Sequence, residues 1–212
     1  MRRLGRSLLP CAALLLGTAC SAASPEAVNP VTTPVTGKAP ARLVARPPHY
    51  ARPAGSEVIP ERPLRLRLPS GTVLPVDVSV SDAQGTLSLP DTVERAGWWL
   101  GSARLGDVYG AVVVAAHVDS FTEGIGPIAQ LLSARPGGVL TLESRTLSRD
   151  YVVDSARLVP RAALGTLAPL LSFAGGHRLV VITCGGTYDR DRGGYHDNLV
   201  VVAEAQGPLR RR

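Results

Sequence analysis

A chain of 212 residues is long enough for one domain with a buried core, plus a leader or tail. Its 45% hydrophobic residues include only 4% aromatics, and 22 glycines and 18 prolines imply an aliphatic core crossed by many turns, which excludes a helical bundle. The net charge of +6 comes almost wholly from arginine, Lys38 being the only lysine, and the arginines are scattered without interleaved aromatics, so the chain is not read as a nucleic-acid binder.

Residues 1–20 begin with Arg2, Arg3 and Arg6, continue with an apolar run from Leu8 to Leu16 and end among small residues, the pattern of an export signal. The run is shorter than the roughly 20 residues of a spanning helix. Cys20 follows Gly17-Thr18-Ala19 and is a candidate lipidation site, although a lipoprotein box normally has Leu three positions earlier. With Cys11 and Cys20 assigned to the signal, the exported domain keeps one cysteine, Cys184, which has no internal partner for a disulfide. Such a thiol is either an inert core residue or a nucleophile.

Residues 21–60 are rich in Pro, Ala, Thr and Val without periodicity and read as an extended tether. From residue 61 the texture is that of short strands. Alternation marks 64–68 and 73–80, and further strands are expected at 85–90, 111–116, 138–144, 151–159, 178–183 and 198–205. Short helices are expected only near 90–97, 125–133 and 161–173, and 208–212 reads as a basic tail. Repeated short strands without long helices predict an all-β fold, a closed barrel without free edges, spanning 61–207.

Cys184 closes the apolar run before Gly185-Gly186, and His117 closes the run 111–116. Two strand ends can meet at one rim of a barrel and bring thiol and imidazole together, the pairing that thiol acyl-transfer chemistry needs. Asp119 could orient His117, His177 between Gly176 and Arg178 reads as a solvated turn residue, and of Trp98 and Trp99 one is expected in the core and one at the rim.

The segment 180–205, with Ile182-Thr183-Cys184, and the segment 111–120, with His117-Val118-Asp119-Ser120, resemble the active-site segments of sortases, most closely those of class F from actinobacteria. The likeness continues through the stretches RLRLPSGTVLPVDV, GTLSLP, AGWWLGSARLGDVYG and PIAQLLSARPGG, and so covers nearly the whole of 63–205. It implies an eight-stranded barrel, Cys184 as nucleophile, His117 as acid, Thr183 beside the substrate carbonyl and a groove lined by 157–176. It also implies a monomeric cysteine transpeptidase, needing no cofactor and no metal, on the outer face of the membrane or in the cell wall. The partners would be a Leu-Pro-x-Thr-Gly type sorting signal and an amine of the wall.

Two positions depart from that family. Ala116 stands where glycine is usual, and His196 stands where the family carries an arginine that serves the oxyanion or positions the substrate. Arg190 and Arg192 are upstream candidates for that charge. The departure leaves two alternatives open: a degenerate barrel that binds without turnover, and a zinc protein using Cys184, His117 and His196.

Overall fold

The computed structural model describes residues 57–212. The expected signal, Cys20, His49 and the tether up to residue 56 lie outside the described residues.

Ten strands are formed: β1 (Arg65–Arg67), β2 (Val73–Ser79), β3 (Ala96–Trp99), β4 (Ala111–Ala116), β5 (Asp119–Ser120), β6 (Gly124–Ile125), β7 (Val139–Glu143), β8 (Leu147–Pro160), β9 (Arg178–Asp189) and β10 (Gly194–Arg211). Eight of them close a barrel in the order β1-β2-β3-β4-β9-β10-β8-β7, and β5 and β6 make a small separate hairpin. The all-β closed barrel is therefore as the sequence implies. It is mixed: β2 and β3 run parallel, as do β4 and β9, and the other barrel pairs are antiparallel. Among the described residues helix is limited to two 3-10 segments, Pro127–Ser133 and Arg161–Leu167, and one turn of α-helix, α1 (Ala168–Leu171).

Two apolar layers explain the continuous hydrophobic runs of β4 and β9. Inside the barrel, Val112, Val114 and Ala116 of β4 meet Leu179 and Val181 of β9, with Leu66, Leu74, Tyr151 and Val201 from other strands. On the outer face, Ala111 and Val113 of β4, Val180 of β9 and Val200 of β10 are covered by Leu164, Leu167, Leu170 and Leu171. Strands buried on both faces lose the simple alternation of apolar and polar residues. Arg178, at the start of β9, is almost fully buried, and its guanidinium donates to the carbonyls of Leu170, Ala174 and Gly176. A cation on carbonyls at the end of a helical turn satisfies orphan acceptors and suits their partial negative charge. It fastens the outer layer to the strand that carries Cys184.

Several local readings are corrected. Residues 90–97 form no helix; the segment turns and enters β3, whose Trp98 is buried with Nε1 donating to the Ala103 carbonyl at 3.0 Å. Residues 85–90 contribute only a bridge between Ser81 and Leu87. The presumed basic tail 208–212 is the end of β10, held by Arg210, whose guanidinium donates to Asp150 at 2.8 and 2.9 Å. His177 is buried, 7% exposed, with Nε2 2.8 Å from the Tyr151 hydroxyl. Burial, followed by the charge of Arg149, depresses its pKa to about 4. No helix among the described residues is long and apolar enough to cross a membrane.

Candidate active site

Cys184 and His117 are brought together by strand register. β4 and β9 are parallel neighbours paired from Ala111↔Arg178 to Ala116↔Thr183. The next residue on each chain is His117 and Cys184. Alternation along both strands puts these two on the outer face, since Ala116 and Thr183 are the inward pair. Thr183 is 3% exposed, and its hydroxyl donates to the Ala116 carbonyl at 2.8 Å, locking the last rung before the two candidates. That hydroxyl is thus spent within the barrel wall and is not free for the expected substrate contact.

Cys184 does not end its strand. β9 runs five residues further to Asp189, turns, and returns as β10, so the site lies along a long hairpin rather than at a strand terminus. The sequence 189–194 is that turn: Asp189 Oδ1 accepts from the backbone amides of Asp191 and Arg192, and Gly193 and Gly194 have φ of 81° and 112°. Gly185 lies against side chains instead: a Cβ there would come within 2.9 Å of Leu158 and 3.2 Å of Leu132, at the ends of two half-exposed leucines.

The thiol is free and partly buried. Burial raises its pKa above the ordinary thiol value, the charge of Arg161 opposes that rise, and the charge of Asp119 adds to it. Asp119, in β5, accepts the Tyr195 hydroxyl at 2.6 Å, so this carboxylate is engaged by a residue of β10. The same bond, with burial second, raises the Tyr195 pKa to about 12. Tyr195 also packs edge-on against Tyr188, ring centroids 5.1 Å apart. Glu123 anchors the β5-β6 hairpin by accepting from the Thr92 hydroxyl at 2.7 Å and the Val93 amide at 2.9 Å, bonds that hold its pKa below the ordinary carboxylate value.

His196 occupies a bulge in β10, between the pairs Tyr195↔Tyr188 and Asp197↔Gly185. Its Nε2 lies 3.7 Å from Asp189 Oδ2, toward the hairpin turn. His117 and Cys184 each follow the last paired rung of β4 and β9, whereas the His196 ring lies toward Asp189. Arg192 is also at that turn, 76% exposed, with Nε 3.5 Å from Asp189 Oδ2. Among the described residues no group of three or more His, Cys, Asp or Glu is placed to hold a metal ion, which removes the geometric basis of a Cys184, His117 and His196 zinc set.

Arg161 falls within the expected groove stretch 157–176, but sequence reasoning gave it no role of its own. It directly follows the last residue of β8, and its Nη1 donates to the carbonyls of Gly193 at 3.2 Å and Tyr195 at 3.5 Å. The only further sequence signal was its place just after a strand that ends in Pro160.

No protein-family model matches the chain, and no curated protein matches it. Solved structures do. The barrel is similar to sortase E1 from Streptomyces coelicolor with a tripeptide in the active site, at 16% identity over 71% of this chain and 91% of that one, TM-score 0.53. The fold is that of the sortases. The SrtA sortase from Actinomyces oris gives 17% identity over 77% of this chain and 90% of its own, TM-score 0.53. Sortase C of Streptococcus pneumoniae gives 17% identity over 72% and 70%, TM-score 0.52. These sortases belong to several classes, and at such identities the likeness is one of fold.

Proposed function

We propose that the protein is a sortase-type cysteine transpeptidase, with Cys184 as nucleophile and His117 as acid. The observation that carries this reading is the parallel register of β4 and β9, which aligns the two residues on one face of a sortase-fold barrel. The Cys184 thiol passes its proton to His117, the sulfur forms a C–S bond to the carbonyl carbon of Thr in a Leu-Pro-x-Thr-Gly type signal, and the carbonyl π pair moves onto oxygen. When the pair returns, the C–N bond to Gly breaks and the amine leaves with a proton from His117. An incoming amine of the cell wall, deprotonated by the same imidazole, then displaces sulfur and regenerates the thiol. The half-exposed Leu132 and Leu158 beside Gly185 offer an apolar wall for the signal's Leu and Pro side chains.

The segments around Ile182-Thr183-Cys184 and Val118-Asp119-Ser120 favour class F as the nearest class. Residues 1–20 as an export signal, with or without lipid on Cys20, would carry the enzyme to the outer face of the membrane, and the tether of residues 21–60 would let it reach into the wall. The test is turnover of a quenched fluorescent Leu-Pro-x-Thr-Gly peptide. Cleavage lost in both Cys184→Ala and His117→Ala supports the reading; cleavage retained in either folded variant contradicts it. A barrel that binds the peptide without turning it over would show binding alone.

A further inference from the structure

The chain lacks the arginine that the sortase reading calls for at position 196, and the residue there faces a carboxylate at the hairpin turn. A thioester-forming reaction at Cys184 still needs a cation or donor for the charge that appears on the carbonyl oxygen. Of the arginines proposed from sequence, Arg190 and Arg192 sit in the turn beyond Asp189, and Arg192, 76% exposed, has its Nε drawn to Asp189 Oδ2 at 3.5 Å.

The end of β8 supplies a third arginine. β10 lies between β9 and β8, and its Asn198 pairs with Cys184 on one side and Val159 on the other. Val159, Asn198 and Cys184 thus form one rung, about 10 Å from end to end at ordinary strand spacing. All three point outward, with Val159 in the outer apolar layer. Arg161 lies two residues beyond Val159. The chain leaves β8 at Pro160 into the 3-10 segment, and the Arg161 guanidinium is held by the Gly193 and Tyr195 carbonyls on either side of Gly194. Both acceptors bind Nη1. A guanidinium has five N–H donors in a rigid fork, so the Nε and Nη2 edge can meet a substrate oxygen while Nη1 keeps the group in place. Its charge also favours the Cys184 thiolate.

We propose that Arg161, carried in from the end of β8, is the catalytic cation of this site and hydrogen-bonds the oxyanion formed when Cys184 attacks the scissile carbonyl. This rests on the transpeptidase reading above. The arginine has changed strands: the charge that the family carries on the strand after the nucleophile comes here from the strand on its far side. The balance of the step is unaltered, because Arg161 forms and breaks no covalent bond and keeps its protons throughout.

Arg161→Ala, Arg161→Lys and His196→Arg are made in the full chain and their folding is checked by thermal unfolding. Two rates are measured across pH 6 to 10: acylation of Cys184 by a Leu-Pro-x-Thr-Gly peptide, and modification of Cys184 by a methanethiosulfonate, which needs a thiolate but no oxyanion. Arg161→Ala should lower the acylation kcat by about 100- to 1,000-fold, the usual loss for one oxyanion donor, with a smaller change in KM. Its methanethiosulfonate profile should move to higher pH, and Arg161→Lys should restore part of both. His196→Arg should leave acylation within about twofold of the native rate. Arg161→Ala acylating at the native rate, or a folded Arg161→Ala with an unmoved thiol profile, overturns the proposal. If the native protein modifies with methanethiosulfonate but never acylates, the transpeptidase reading fails, and the thiol profile alone then decides whether Arg161 serves Cys184.

Discussion

Replacing Thr183 by valine tests the link between the barrel wall and the alignment of its reactive pair. The two side chains have nearly the same shape, so the change removes one hydrogen bond, from the Thr183 hydroxyl to the Ala116 carbonyl at 2.8 Å, from a site only 3% exposed. A typical internal hydrogen bond is worth about 1 kcal/mol net, and a buried carbonyl left without its donor costs roughly 1–3 kcal/mol. A loss of about 2 kcal/mol is expected. For a fold of this size, spanning 57–212, that corresponds to a fall in Tm of about 4–8 °C. The bond closes the rung directly before His117 and Cys184, so peptide turnover should fall by about tenfold or more, since small misplacements of reacting groups are costly. Thr183→Ser, which keeps the hydroxyl, should lose less on both measures. Differential scanning calorimetry and peptide cleavage read the two effects. Thr183→Val melting within about 1 °C of the native protein at unchanged turnover would refute the reasoning.

His177, held neutral by burial with a pKa near 4, should make stability fall with acid: the unfolded chain protonates from about pH 6.5 downward while the folded one does not. Roughly 3 kcal/mol should be lost between pH 6.5 and 4, and His177→Phe should flatten that part of the curve; an equal slope in the variant would show that another group is responsible. Because burial raises the Cys184 pKa, methanethiosulfonate modification at pH 7 should be slower than that of an unhindered thiol and should climb beyond pH 8, with peptide mapping assigning the label to Cys184. A rate already at its plateau below pH 7 would contradict the environment described for the thiol.

The barrel was legible where strands are buried on both faces. The runs at 111–116 and 179–182 are apolar throughout because one face fills the interior and the other lies under Leu164, Leu167 and Leu170. β3 was not legible: it has four residues, begins Ala96-Gly97, and borrows its stability from parallel pairing with β2, a partner no local pattern reveals. Its neighbour at 85–90 has the alternation of a strand but finds no second pair beyond Ser81–Leu87. His177 was misread because Gly175-Gly176 before it signals a turn, whereas its burial depends on Tyr151, 26 residues away. The positions of Cys184 and His117 just past the last paired rung of β9 and β4 were legible from the runs they follow. The place of His196 was not, because a bulge and the Asp189 carboxylate decide where its ring goes. Arg161 was invisible for a similar reason: only the register of three adjacent strands carries it toward the thiol.

The account stands most directly on whether Cys184 carries an acyl group. The protein is incubated with a Leu-Pro-x-Thr-Gly peptide without an added amine, quenched in acid and analysed by intact mass and peptide mapping. The account predicts an added mass equal to the peptide up to and including Thr, mapped to Cys184, discharged by hydroxylamine and absent in Cys184→Ala. A cleaved peptide with no adduct on Cys184 at any time, or an adduct that persists in Cys184→Ala, would contradict it.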